Sequence, residues 1–163
     1  MLVNIKNLNG IGDNNKNIKK LQANALLDNG GIYLDNADIA YNNSIIKGNL
    51  SIQFLDEWRS FRDFENNVIM KADIKEAFIK SKDVAVFAPM AQKYVPESLK
   101  MRGFIKGKLS NLRTEDLYIT TGNNTVLDFS GNIKGLPHVN QTLFDLKVNE
   151  LKTNPTDLKQ ILT

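Results

Sequence analysis

Apolar and polar residues alternate along most of the chain. Every second residue is apolar or glycine within residues 32–34, 46–54, 68–74, 99–109, 117–119, 127–133 and 144–148. Successive side chains of a β-strand point to opposite faces, so this pattern predicts at least six strands with one apolar and one polar side. Such alternation is typical of antiparallel sheets, because parallel strands covered on both faces are apolar throughout. We therefore predict a mainly β fold, built as an antiparallel meander, sandwich or barrel.

Three short segments resemble one another, namely residues 45–50, 104–109 and 131–136. Each contains an apolar residue followed by Lys-Gly, with a leucine one or two positions later. Glycines inside strands often mark bulges or bends. A repeat of this kind favours an elongated sheet assembled from similar units.

Residues 1–30 differ from the rest of the chain because Asn, Gly and Lys, which favour turns, are frequent there. Ile18, Leu21, Ala25 and Leu26 have the spacing of one face of a short helix. We favour the alternative, an edge strand followed by a loop. A turn is predicted at residues 29–31, and residues 31–163 are predicted to form a single β-rich segment.

Two stretches have helical character. Residues 83–91 are predicted to form a short helix with Asp83 as its N-cap and Pro89 within or at the end of it. Residues 154–162 are predicted to begin a second helix, with Asn154 as N-cap and Pro155 at the first helical position. Because this second pattern reaches the last residue of the sequence, we expect the chain to be a segment of a longer polypeptide.

The composition offers little catalytic equipment. The 163 residues include no cysteine and a single histidine, His138, which excludes disulfides, thiolate zinc sites and His-paired metal sites. The formal net charge of +3 is small for a folded surface and does not indicate a nucleic-acid partner. No glycine-rich phosphate-binding motif occurs in the sequence. We therefore predict that the chain binds no cofactor, no metal and no nucleic acid.

Adjacent carboxylates occur at Asp56-Glu57 and at Glu115-Asp116. Neighbouring side chains of a strand face opposite sides, so we interpret both pairs as solvated charges beside turns rather than as a general acid and base. His138 lies in the sequence Gly-Leu-Pro-His, which predicts an exposed turn.

Arg59 and Arg62 alternate with the aromatic residues Trp58, Phe61 and Phe64, a combination that can bind nucleic acids by stacking and phosphate contact. Four nearby Asp and Glu residues cancel this positive charge. We therefore expect the aromatic rings to pack against the sheet while the charged groups face water.

Several motifs occur in the order and at the spacing of TamB-like proteins of Bacteroidetes, which this chain resembles. They are an aromatic and basic stretch in residues 51–74, the sequence Asp-Val-Ala-Val-Phe-Ala-Pro at 83–89, a Gly-containing strand at 103–112, and residues 122–127 and 133–137. The resemblance covers residues 30–163. His138 departs from it, because Asp is expected after the Leu-Pro of that turn.

The resemblance implies a segment of a large envelope protein of the AsmA/TamB superfamily. Such proteins are anchored in the inner membrane, span the periplasm, and take part in outer-membrane biogenesis through lipid transport or assistance to barrel-protein assembly. The implied fold is an elongated, curled antiparallel sheet (a trough, half-barrel or taco-like shape) with one or two short helices. The implied partners are phospholipid acyl chains, neighbouring segments of the full-length protein and an outer-membrane barrel assembly partner.

The leading hypothesis is a passive lipid conduit with no enzymatic activity. Its candidate lining residues lie on four predicted strands, and within each strand they occupy the alternate positions that point to the apolar side: Ile46, Leu50, Ile52, Phe54, Met70, Ile74, Met101, Ile105, Leu127 and Phe129. Exposed sheet edges also favour dimers in vitro. An alternative is a closed β-sandwich serving as an adhesion or scaffold module, in which these residues are core. A third class, an envelope enzyme such as a glycoside hydrolase, needs two carboxylates in one cleft, which the sequence does not predict.

Overall fold

The computed structural model describes residues 1–12, 16–84, 96–122 and 124–157. These residues form one open antiparallel sheet of nine strands that follow one another in chain order. The strands are β1 (Leu2–Ile11), β2 (Asn17–Asp28), β3 (Gly31–Tyr41), β4 (Ser44–Phe54), β5 (Val68–Lys80), β6 (Ser98–Lys108), β7 (Asn111–Thr121), β8 (Thr125–Lys134) and β9 (Leu143–Lys152). The prediction of a mainly β, antiparallel fold is confirmed. The two-sheet sandwich is wrong for the described residues, which build a single layer.

The helices are short and lie in the connections. A 3-10 helix at Arg59–Asp63 and α1 (Phe64–Asn67) join β4 to β5, and α2 (Ser81–Val84) follows β5. A second 3-10 helix, Val139–Gln141, precedes β9.

The core lies on one face of the sheet. The buried apolar residues of the described chain all belong to that face by strand register: Ala23, Ala25, Ala37, Phe54, Val68, Ile74, Ala77, Leu112, Leu117 and Phe129. Side chains on one face of a single layer are sheltered when the layer curls toward them. Bulges, which increase local twist, occur in every pair of neighbouring strands and produce such curvature.

The bulges of three alternate strands recur with a fixed period. Two residues lie opposite one residue of the next strand between Leu34 and Ala37 in β3, between Ile74 and Ala77 in β5, and between Thr114 and Leu117 in β7, so each of these bulges has one extra residue. The bulged pairs begin at residues 35, 75 and 115, so successive bulges lie 40 residues apart. The structure therefore contains a repeat with a longer period than the short Lys-Gly segments of the sequence indicate.

Glycine is required where neighbouring strands approach closely at these bulges. Gly48 has φ +155°, and a Cβ atom built there would lie 2.1 Å from the backbone oxygen of Asp73 on β5. Gly103 has φ +130°, and its Cβ would lie 2.5 Å from the backbone oxygen of Asp116 on β7. Any side chain at these positions would force the strands apart.

The edge strand expected before residue 30 is present as β1, but a second strand, β2, follows it, so the short helix and the long loop expected there are wrong. Residues 17–28 form β2, which pairs with β1 on one side and with β3 on the other. The residues of β2 do alternate, because Leu21, Ala23, Ala25 and Leu27 all point to the core face. Two of these four are alanines, whose small side chains make the alternation hard to recognise in the sequence. The pairing of β2 with both neighbours satisfies its backbone groups despite its many polar residues.

The predicted capping role of Asp83 is wrong. Asp83 lies inside α2, and its buried carboxylate accepts hydrogen bonds from the backbone N–H of Asn43 (3.0 Å) and from Ser44 Oγ (2.6 Å) in the β3–β4 turn. A carboxylate oxygen accepts from whichever donors lie close to it, and here both donors belong to a turn about 40 residues earlier in the chain. Pro89 and the rest of the predicted helix lie outside the described residues.

The second predicted cap is confirmed. The backbone N–H of Asp157 donates to Asn154 Oδ1 at 2.9 Å, which is the hydrogen bond of an N-cap residue. Residues 155–157 are helical, with Pro155 at the first position. The remainder of this predicted helix, residues 158–162, lies outside the described residues.

Candidate functional site: the apolar face of the sheet

Continuous rows of apolar side chains cross the sheet from strand to strand. Directly opposite residues of antiparallel strands share a face, so the register defines each row. One row crosses all nine strands: Leu8, Leu21, Ile39, Ile46, Ala77, Met101, Ile119, Leu127 and Leu151. A second crosses β2 to β9: Leu27, Ile32, Ile52, Met70, Gly107, Leu112, Ile133 and Phe144. We refer to these rows, and to the residues between them on the same side, as the apolar face.

Between these two rows lies a third, made of Val3, Ala25, Leu34, Leu50, Ala72, Ile105, Thr114, Gly131 and Leu146. Thr114 is the single side chain of this row that carries a hydroxyl. Its Oγ1 donates to the backbone oxygen of Gly131 at 3.4 Å. The row therefore presents a nearly uninterrupted hydrocarbon surface.

The structure brings all ten candidate lining residues of the sequence onto the apolar face. Four lie on β4, two each on β5, β6 and β8, and each has an apolar-face residue opposite it on a neighbouring strand. Phe54, Ile74 and Phe129 are buried, and the other seven are half-buried. The shared face is a finding of the structure, whereas contact of these residues with lipid remains a prediction.

Sequence reasoning missed the contribution of β2 and β3 to this face. Leu21 and Ile39 extend the first row beyond β4, and Ala25 and Leu34 extend the third row. The alternation at residues 21–27 was the available signal, but alanine is too weakly apolar to make it prominent among so many polar neighbours. The apolar face is therefore wider than the candidate list indicates.

Exposure on the apolar face increases toward the sheet edges. Phe129 on β8 is 4% exposed, whereas Phe144 and Leu151 on the edge strand β9 are 62% and 66% exposed. At the opposite edge, Leu8 on β1 is 45% exposed. In the part of the chain that the structure describes, no second sheet lies across from the face, so its outer rows offer apolar surface to a partner or ligand.

An aromatic cluster lies at one end of the apolar face. The ring centroid of the buried Phe54 is 4.8 Å from that of Trp58 and 5.1 Å from that of Phe61. Phe61 in turn stacks on Phe64 with centroids 6.1 Å apart. The rings pack against the sheet through Phe54, while Trp58 and Phe61 remain about half exposed and Arg59 and Arg62 face solvent.

The opposite face, which we call the polar face, carries most of the charged side chains of the strands together with some apolar ones, such as Ile45, Ile69 and Phe104. It carries ion pairs between Lys20 and Asp38 (2.5 Å) and between Lys47 and Glu76 (3.0 Å). The hydrogen bond and the negative charge of Glu76 raise the pKa of Lys47. Exposed ion pairs of this kind contribute little to the stability of a protein. We therefore regard these charges mainly as hydrated groups on the outer surface of the sheet.

A shallow cavity of about 320 Å³ lies on the polar face. Tyr33, Asp35, Lys71 and Phe104 are among the residues that line it, with Lys71 Nζ 5.8 Å from the centroid of the Phe104 ring. The lining comes from four neighbouring strands and is open to solvent.

The other chemical candidates of the sequence stay apart. Asp56 and Glu57 follow β4, and Glu115 and Asp116 lie at the bulge of β7, so β5 and β6 separate the two pairs. His138 is exposed in a turn, where its backbone N–H donates to the backbone oxygen of Gly135 at 2.9 Å. Within residues 1–12, 16–84, 96–122 and 124–157, no group of three His, Asp or Glu residues is arranged to hold a metal ion.

Among the helices that the structure describes, none has the length and apolar character needed to cross a bilayer. Comparison of the chain with protein-family models, with curated proteins and with solved structures found no match. The functional assignment therefore depends on the apolar face itself and on the sequence motifs described above.

Proposed function

We propose that the chain is a segment of a TamB-like envelope protein and that its apolar face holds the acyl chains of phospholipids. The observation that carries this proposal is the one-sided character of the open sheet. Apolar rows cross every strand, and the described residues place no second layer against them. A soluble sheet with such a face must cover it with something apolar.

The physical chemistry of the face suits a hydrocarbon chain. Each buried CH₂ group contributes about 0.8 kcal/mol, so a chain of about sixteen carbons gains on the order of 10 kcal/mol before the costs of binding. Strands lie about 4.8 Å apart, so a row across nine strands has a contour length of roughly 38 Å. The rows require no specific polar contact, which allows an acyl chain to move along them.

We further propose that the segment lies in the periplasm and contacts other parts of the same protein and an outer-membrane partner. The polar outer face suits the aqueous periplasm, and the full-length protein would be anchored in the inner membrane. Neighbouring segments would extend the sheet, and an outer-membrane barrel assembly partner would receive what the conduit carries. The role is passive, because binding by hydrophobic burial needs no catalytic residue.

The experiment is lipid extraction and mass spectrometry of the protein purified from cells. The wild type is expected to carry phospholipid, and Ile105→Asp and Leu127→Asp are expected to lose most of it, because each puts a charge on the apolar face. Lys106→Asp is the matched control, since Lys106 is the neighbour of Ile105 on the polar face of β6. It is expected to retain the lipid.

Circular dichroism of each variant determines whether the sheet is retained. Ile105→Ser, which weakens apolar contact without adding a charge, provides a second comparison if Ile105→Asp unfolds. A wild-type protein free of lipid, or a lipid content unchanged in folded Ile105→Asp and Ile105→Ser, would contradict the proposal.

A further inference from the structure

The edge strand β9 offers a regular stretch of six residues, 143–148, to a further strand. In the described part of the chain it pairs with β8 alone, and it leaves the apolar side chains of Phe144, Val148 and Leu151 between 47% and 66% exposed. Natural edge strands are normally protected by shortness, proline or inward-pointing charges, because their free backbone groups pair readily with another strand. β9 is ten residues long and contains no proline. Its charged residues point to the polar face, and its bulge, at Asn149, leaves residues 143–148 as a regular stretch paired with β8.

The sequence of β9 is complementary to itself in one antiparallel register. If Leu146 lies opposite Leu146 of a second copy, Phe144 lies opposite Val148 on the apolar face. On the polar face, Asp145 then lies opposite Lys147. Each of these contacts occurs twice, because a two-fold axis passes through the Leu146 pair.

Neighbouring registers are disfavoured by charge. Opposite residues must share a face, so the register shifts in steps of two positions. One such step places Asp145 opposite Asp145 of the other copy, and the step in the other direction places Lys147 opposite Lys147. Like charges directly opposite are destabilising, whereas opposite charges stabilise the pair. The other edge, β1, contains no acidic residue and has no comparable register.

We propose that β9 pairs with β9 of a second copy of this chain in the register centred on Leu146. The two-fold axis stands perpendicular to the sheet, so the two nine-stranded sheets become one, with both apolar faces on the same side. Asp145 and Lys147 set the register, since on β8 they face the uncharged Asn132 and Ser130. The pairing concerns the chain of 163 residues by itself, in which β9 is an edge of the described sheet, and it does not depend on what the apolar face binds. In a longer protein, a neighbouring segment that extends the sheet at β9 would take the place of the second copy.

Charge reversal tests the register, with the oligomeric state measured by light scattering and analytical ultracentrifugation. Asp145→Lys places like charges opposite each other at two symmetric points, and it is expected to raise the dimer dissociation constant about tenfold. The double variant Asp145→Lys with Lys147→Asp restores opposite charges and is expected to restore the dimer. Glu150→Lys makes the same change of net charge outside the paired residues 143–149 and is expected to have little effect.

A thiol cross-link gives a second, geometric readout. The chain has no cysteine, so Leu146→Cys introduces the only thiol. Directly opposite residues have Cα atoms about 4.5–5.5 Å apart, within the range of a disulfide, so mild oxidation should join two copies. Asp145→Cys is the control, because its thiols would be diagonal neighbours and should cross-link poorly.

A wild-type chain that stays monomeric at the highest concentration measured would overturn the proposal. So would a dimer that responds equally to Asp145→Lys and Glu150→Lys, because it would then form through β1 or through the apolar faces. Loss of the dimer in Asp145→Lys, its recovery in the double variant and cross-linking of Leu146→Cys would together support it.

Discussion

Ser44 Oγ donates a hydrogen bond of 2.6 Å to the carboxylate of Asp83, and both side chains are buried. The same arrangement recurs near the other end of the sheet, where Thr125 Oγ1 donates to the buried carboxylate of Asp157 at 2.7 Å. In each case the acceptor lies in a helical turn after one strand, and the donor begins a strand at a preceding turn. These contacts tie hairpin turns to residues 32 and 39 positions away in the chain.

Removal of the first of these contacts should destabilise the sheet. Asp83→Ala leaves the Ser44 hydroxyl and the Asn43 N–H without their acceptor, and an unsatisfied buried polar group costs about 1–3 kcal/mol. We expect the free energy of unfolding, measured in urea, to fall by about 2 kcal/mol. Asp83→Asn keeps one oxygen acceptor and should cost less.

Asp73→Ala is the control for this prediction, because Asp73 is exposed on the polar face of β5. Its unfolding free energy should change by no more than about 0.5 kcal/mol. Equal effects of Asp83→Ala and Asp73→Ala would show that the buried contact does not stabilise the turn.

Gly48→Ala should be strongly destabilising. The added Cβ would lie 2.1 Å from a backbone oxygen on β5, and the φ of +155° is itself unfavourable for alanine. The strained backbone alone costs about 1–3 kcal/mol, so we expect a loss of at least about 2 kcal/mol in unfolding free energy. Gly10→Ala, at a position with open space around the added Cβ, should be neutral or slightly stabilising. A neutral Gly48→Ala would contradict the close approach of β4 and β5.

Burial on the apolar face can be tested with two phenylalanines of the same face. Phe129→Ala removes a ring that is 4% exposed and should lower the unfolding free energy by about 3–5 kcal/mol. Phe144→Ala removes a ring that is 62% exposed and should change it by about 0.5 kcal/mol. Chemical unfolding of both variants, at a dilution at which the chain is monomeric and β9 is unpaired, measures the difference. Similar losses would mean that the edge strand is covered in solution.

Much of the fold follows from alternation in the sequence, because a period of two is a direct consequence of strand geometry. The parity of Ile46, Leu50 and Ile52 predicted the apolar face correctly, and the structure places them there. The cap formed by Asn154 was likewise predictable, since it depends on a contact three residues away. Sequence patterns therefore predict a feature correctly when the residues that form it lie close together in the chain.

The remainder depends on contacts that are distant in the chain. Asp83 bonds to a turn about 40 residues earlier, and no local pattern distinguishes that acceptor role from an N-cap. Strand β2 was missed because its core-facing positions include Ala23 and Ala25, which are small enough to be buried but too weakly apolar to stand out. The bulges did leave a signal, since a pair of polar residues interrupts the alternation after Leu34 and after Ile74.

The central claim is that acyl chains occupy the apolar face, and Trp58 provides a direct test. It is the only tryptophan in the chain, and its ring contacts Phe54 at the end of that face. Bromine atoms quench tryptophan fluorescence on contact, so titration with a phospholipid brominated on its acyl chains reports binding at this position. Ser51→Asp on the polar face is the control for Ile52→Asp on the apolar face of the same strand.

If acyl chains occupy the apolar face, the brominated phospholipid should quench Trp58 saturably in the wild type and in Ser51→Asp. The unbrominated lipid should compete with the brominated one and reduce the quenching, and folded Ile52→Asp should be quenched much more weakly. Absence of saturable quenching in the wild type, or equal quenching in the two variants, would contradict the claim that the apolar face holds lipid.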